Sequence, residues 1–227
     1  MWIFYAIGSS FFAGITAILA KCGIKKTDSD VATAIRTVVV LLFSWLMVLI
    51  TGTWGGMTQI HGRTLLFLVL SGLATGASWL CYFHALQKGD INKVVPIDKS
   101  STVLSILLAL IFLREGITGA KIVSVLLIGI GTMMMITKKD IETDSGKKSD
   151  GWLIYAVLSA VFASLTSILG KLGIEGIDSN LGTAIRTTVV LLMAWLMAFV
   201  TGKQKEIKAI EKKELCFICL SGLATGA

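Results

Sequence analysis

The chain has 227 residues, a mean hydropathy of +0.82 and only 15% charged side chains, which excludes an ordinary water-soluble core. A formal net charge of +7 and a pI near 9.3 would suit nucleic acid, but the basic residues sit in short loops beside apolar runs. Cytoplasmic loops of membrane proteins carry that bias on their own, so the reading is a polytopic membrane protein partnered by the lipid bilayer, with no nucleic acid.

A bilayer crossing takes about 20 mainly apolar residues. In chain order such runs fall near residues 2–22, 32–51, 64–86, 92–113 and 117–137, and then, after the polar stretch KKDIETDSGKKSD, near 152–172 and 182–201. An eighth begins at Leu215 and is too short to cross. The first run lacks a basic leader and has an internal twin at 152–172, so it is a span and not a signal peptide.

Residues 2–52 return as 152–202 without a gap, with roughly half of the positions identical. DSDVATAIRTVVVLLFSWLM from Asp28 becomes DSNLGTAIRTTVVLLMAWLM from Asp178, and SGLATGA at Ser71 comes back at Ser221. The chain is a duplication: a five-helix copy over 1–138, a charged linker over 139–151, and a second copy over 152–227 that stops within its third helix. This reads as a fragment with seven complete spans and a partial eighth.

Loop charges suggest how the copies lie. Lys21, Lys25 and Lys26 follow span one, but only Lys171 follows its twin. Before the third span of each copy the bias reverses, with Arg63 alone in the first and Lys203, Lys205, Lys208, Lys212 and Lys213 in the second. With five spans per copy, equivalent loops face opposite sides and the strongly basic loops share one side. The expected fold is therefore all-α, an inverted repeat of five-helix halves, the architecture of many secondary transporters. The same bias puts the N-terminus outside.

The loops are too short for a soluble domain, and H-E-x-x-H, G-x-S-x-G and paired carboxylates at catalytic spacing are absent. No catalytic residue, metal ligand or cofactor is expected, and the chain is not read as an enzyme. His61 and His84 stand without visible partners, and the Cys216-x-x-Cys219 pair in LCFICL reads as two small hydrophobes, like Cys22 and Cys81.

The polar residues inside spans are the substrate-path candidates. Arg36 and Arg186 each lie about 9 Å into a helix, after caps expected at Ser29 or Asp30 and at Ser179 or Asn180. Arginine there opposes the helix dipole and would cost about 2.5 to 3.5 kcal/mol at the bilayer centre, so it either snorkels to the headgroups or meets a cavity or a counter-charge. Span four offers one in KGDINKVVPIDKSS: Asp98 and Lys99 lie just inside, after Pro96, which can delay or break the helix. Arg36 and Asp98 then pair near one mouth of a central path, with Lys99 and Lys21 adding positive charge for an anionic group, or Asp98 and Lys99 form a solvated helix start. Trp79 and Tyr82, with Trp45, Phe83, Tyr5 and Tyr155, either contact substrate or anchor helices at the interface. Small residues, among them Ala13 and Ala163, with Gly72 and Gly76 echoed by Gly222 and Gly226, read as helix-packing faces.

In DSDVATAIRTVVVL, SGLATGASWLCYFHAL, KVVPIDKSS and IFLREG, the sequence resembles the EamA family of the drug/metabolite transporter superfamily. The resemblance implies a multi-pass inner-membrane carrier of two five-helix halves that moves a small-molecule substrate, such as a metabolite, amino acid or drug, outward by alternating access. It also implies single-half relatives that assemble as pairs, hence a homodimer as one form of assembly, and a cytoplasmic N-terminus, against the charge bias. Proton coupling would run through Asp98. The reading from another class is a membrane assembly or regulatory subunit that transports nothing.

Overall fold

The computed structural model describes residues 2–112, 118–137, 151–203, 207 and 210–226, and every regular element among them is helical. In order these are α1 (Trp2–Gly23), α2 (Ser29–Thr51), a 3-10 turn (Thr53–Gln59), α3 (Gly62–Lys88), α4 (Ile91–Lys99), α5 (Ser101–Phe112), α6 (Gly119–Thr137), α7 (Trp152–Ile174), α8 (Ser179–Val200) and α9 (Lys212–Gly226). Counting α4 and α5 as one, six helices among the described residues are long and apolar enough to cross a bilayer. Except for Gly151, the charged linker lies outside the described residues, as do Lys205 and Lys208.

The helix ends follow from local chemistry. Asp28 caps α2 by accepting the Asp30 N–H at 2.9 Å, and Asp178 caps α8 by accepting those of Asn180 and Leu181 at 2.8 and 3.3 Å. These caps precede the residues expected from the sequence, because the first carboxylate of each D-S-D/N motif reaches forward to the amide two residues on. At its far end α2 stops at Gly52, whose φ of 66° belongs to the left-handed region. Pro96 is buried inside α4, and the interruption falls at Ser100 instead. There the Ser100 hydroxyl donates to the Ile97 carbonyl at 2.6 Å, competing with the backbone for it.

Small residues, not large ones, make most of the interior: Ala20, Ala32, Ala34, Ala156, Ala160, Ala184, Ala194 and Ala198 are each at most 2% exposed. Large side chains such as Phe4, Phe11, Leu42, Leu49 and Ile111 point outward. Such a surface would aggregate in water and is at home in lipid, where close van der Waals packing and not apolar burial joins helices.

The contacts fix helix directions. On α2, Ala34 clusters with Ala194 and Ala198 near the end of α8, whereas Val48 clusters with Leu181 and Ala184 near its start, so these equivalent helices run antiparallel. Helix α3 lies antiparallel on α7, with Leu68 on Gly173 at one end and Gly89 on Trp152 at the other. Between them Ser71 and Ser78 donate to the carbonyls of Thr166 and Ser159 at 3.0 and 3.1 Å. Helix α9 lies on α1 in the same sense, from Gly23 against Ile218 to Thr16 against Thr225.

Two further pairs are parallel and touch through glycine. A Cβ on Gly72 would sit 2.7 Å from the Val189 Cβ, and one on Gly76 would sit 2.7 Å from the Met193 sulfur, joining α3 to α8. With the copies exchanged, Gly222 meets the Val39 Cβ at 2.9 Å and Gly226 the Phe43 ring at 2.6 Å, joining α9 to α2.

A polar latch joins the copies at the lysine-rich end. Glu214, only 6% exposed, accepts the Lys26 and Thr27 N–H groups at 2.9 Å each and the Thr27 hydroxyl at 2.5 Å. Lys203 bridges Asp28 and Asp30 at 2.9 and 2.7 Å, and exposed Lys26 meets Glu211 at 2.6 Å. For Lys203 burial alone lowers the pKa, but the hydrogen bonds and charges of Asp30 and Asp28 outweigh it and leave the ammonium above its ordinary value. The Lys26–Glu211 hydrogen bond lifts the lysine and depresses the carboxylate.

Two predictions come from this packing. Gly72→Leu should destabilise the detergent-purified protein by about 1–3 kcal/mol. Gly14→Leu, where a Cβ meets nothing within 4 Å, should leave its melting temperature unchanged, and equal losses would contradict the close approach. Glu214→Ala should cost about 1.5–3 kcal/mol, because its charged hydrogen bonds are buried, whereas Glu211→Ala should have no measurable effect. The exposed pair contributes only above the depressed Glu211 pKa and below the raised Lys26 pKa, so it should add no pH dependence between about pH 5 and pH 9. A melting shift in that window that Lys26→Met abolishes would overturn the assignment.

Candidate functional site

Arg36 is the eighth residue of α2, about 10 Å from its start, and it faces α3 and α9. Gly222 lets α9 close to 3.1 Å from the Arg36 carbonyl oxygen, measured to the position its Cβ would take, which walls the side chain in. The residue is 4% exposed, so it does not snorkel. Its guanidinium carbon stands 4.4 Å from the Trp79 ring centre and 5.1 Å from that of Phe83, and Nη2 donates to the Thr225 hydroxyl at 2.5 Å. Nε is buried without a partner. The aromatic faces offset part of the desolvation cost without neutralising the charge.

This cation faces a cavity of about 280 Å³ lined also by Trp79, Tyr82, Asp98, Lys99, Ala13 and Ala163, and by Ser9, Thr16, Ser78 and Thr225. Asp98 enters from α4, 8% exposed, and accepts the Ser159 hydroxyl of α7 at 2.5 Å, with the Lys99 ammonium at 3.6 Å. The expected Arg36–Asp98 ion pair is not formed. Each charged group has instead taken a hydroxyl from the second copy, Thr225 or Ser159, and the two remain on the wall of one cavity.

Lys21 is outside the cavity. Its ammonium donates to the carbonyls of Leu86 and, at 2.8 Å, Gly89, which ties α1 to the C-terminal end of α3, where a cation is favoured. Tyr5 is 76% exposed, and Tyr155 packs its ring on His84 at 4.3 Å, so neither reaches the cavity. Trp45 donates to the Thr188 hydroxyl at 3.3 Å between α2 and α8.

Arg186 lines a second cavity, of about 350 Å³, with Asn180, Thr183, Thr75 and Ser44. Its Nη1 lies 3.2 Å from where a Gly170 Cβ would be, so the missing side chain makes its room. Trp79 and Thr225 border both cavities. Sequence reasoning did not single out Thr225, although its place between Gly222 and Gly226 puts it in the segment that closes on α2. Ser159, on the small-residue face of α7 that also carries Ala163, was likewise not singled out. Among the described residues no group of three or more His, Cys, Asp or Glu is arranged to hold a metal.

The comparisons with known proteins agree with this picture of a helical membrane protein. Residues 1–137 match the EamA-like transporter family. The chain is also 46% identical, over 134 residues, to a protein of Sinorhizobium sp described as an uncharacterized transporter in the cobO 3' region. That alignment covers 59% of this chain and 95% of the relative, a length close to one copy. The chain belongs to the EamA-like transporter family, as a membrane protein of several apolar helices.

Proposed function

We propose that the chain is part of a secondary carrier whose two copies lie in opposite orientation across an inner membrane and export a small carboxylate-bearing metabolite, with amino acids the first class to test. The observation that carries this reading is Arg36, a guanidinium buried to 4% exposure with no ion pair, facing a cavity between the copies. An uncompensated cation at that depth is costly, and an anionic ligand group supplies what the fold leaves out. Asp98, held by Ser159 across the same cavity, suits an ammonium on the same solute or a coupled proton.

The antiparallel course of α2 and α8 supports the opposed orientation, since they are the same helix of the two copies. A carrier built this way alternates access by rocking one copy against the other. The latch of Glu214, Lys203 and Lys26 would then close the lysine-rich face, whereas in the other copy Thr64 and Thr53 stand where Glu214 and Lys203 stand, so the carboxylate and the ammonium of the latch have no equivalent at those positions.

Flux in proteoliposomes tests the reading. Radiolabelled amino acids should cross faster than neutral sugars, Arg36→Gln should cut that flux about tenfold or more, and Arg36→Lys should retain more of it. Flux confined to neutral solutes and indifferent to Arg36→Gln would contradict it. No flux of any solute, with stable capture of a protein partner, would favour an assembly subunit.

A further inference from the structure

We infer that Arg186 forms a second station for the same carboxylate, on the opposite side of a partition made by Trp79 and Thr225. The inference rests on the carrier reading for its purpose but not for its geometry.

Arg186 occupies in α8 the place that Arg36 occupies in α2, eighth in the helix after an aspartate cap. Because α2 and α8 run antiparallel, each arginine lies about 10 Å in from opposite ends of the bundle. Gly72 closes on the Arg186 carbonyl at 2.9 Å as Gly222 closes on that of Arg36, again measured to the absent Cβ. Each side chain thus faces its own cavity, and the two cavities meet only at Trp79 and Thr225.

The two stations differ in readiness. Arg36 is clamped to the partition itself, by the Thr225 hydroxyl and the Trp79 ring. Arg186 makes no hydrogen bond and no ion pair with any described residue. The other polar groups lining its cavity are hydroxyls and one amide, among them those of Thr183, Thr187, Thr75 and Asn180, beside apolar Val40, Phe43 and Met47, and no carboxylate lines it. A guanidinium lining a cavity without a counter-charge takes an anion, and its planar donor fork suits a carboxylate. Gly170 in place of the first copy's Ala20 provides the space for that fork. A solute released by Arg36 when Trp79 and Thr225 yield would meet Arg186 next, so both ends of the path hold the same chemical group in turn.

Equilibrium binding to the purified protein in detergent tests this without requiring transport. The probes are the radiolabelled common amino acids and, as controls, their amides, which keep the ammonium and lack the carboxylate. For at least one amino acid two equivalents should bind, its amide should bind at least about tenfold more weakly, and Arg186→Gln should remove one equivalent while Arg186→Lys keeps it. In proteoliposomes Arg186→Gln should raise KM for solute offered from the side opposite the lysine-rich face and leave KM from the other side unchanged. A single equivalent, or none, with every probe overturns the second station, as does an Arg186→Gln defect equal from both sides. Two equivalents without any flux would sink the carrier reading and leave the stations standing.

Discussion

The structure depends on two close approaches without side chains between them, Gly72 and Gly76 on α8 and Gly222 and Gly226 on α2. In lipid there is little hydrophobic gain from joining helices, so contact must come from backbones that can approach within van der Waals distance. Since the same contact occurs twice with the copies exchanged, the four helices α2, α3, α8 and α9 form one self-complementary core. Helix α7 docks along α3 and α1 along α9.

That core determines what Arg36 can do. Were α9 held further from α2, the long side chain could bend back towards the headgroups, where its charge costs little. With Gly222 against the turn of Arg36 the guanidinium is kept inside, on the faces of Trp79 and Phe83. The two cation–π contacts, each about 0.5–2 kcal/mol, offset part of a cost that reaches about 2.5–3.5 kcal/mol for an arginine at the bilayer centre. The residue is thereby tolerated while its charge stays without a counter-ion and faces the cavity. The latch at the lysine-rich end works differently: its strength lies in the buried Glu214 carboxylate and not in the solvated Lys26–Glu211 pair.

Much of this was written in the sequence. Hydropathy pointed to the membrane class, the repeated SGLATGA and D-S-D/N-x-x-T-A-I-R segments to the duplication, those segments together with KVVPIDKSS and IFLREG to the family, and six expected spans coincide with long apolar helices. Arg36 of α2, Trp79 and Tyr82 of α3, and Asp98 and Lys99 of α4 line one cavity. What a one-dimensional reading could not carry was partner choice. Thr225 and Ser159 take the hydrogen bonds that a charge-matching argument assigned to an Arg36–Asp98 pair, because α9 and α7 bring hydroxyls closer than α4 brings its carboxylate. Lys21 was misplaced for a similar reason: a helix-end lysine satisfies the carbonyl end of a neighbouring helix before it can serve a distant cavity.

Everything proposed for the path requires that equivalent helices of the two copies point in opposite directions across the bilayer. Single cysteines at Lys25 and Glu175, in a background with Cys22, Cys81, Cys216 and Cys219 replaced by serine, would be labelled in intact cells and in inverted vesicles with a membrane-impermeant maleimide. With opposed copies, one position reacts only from one side and the other only from the opposite side. Labelling of both from the same side would contradict it.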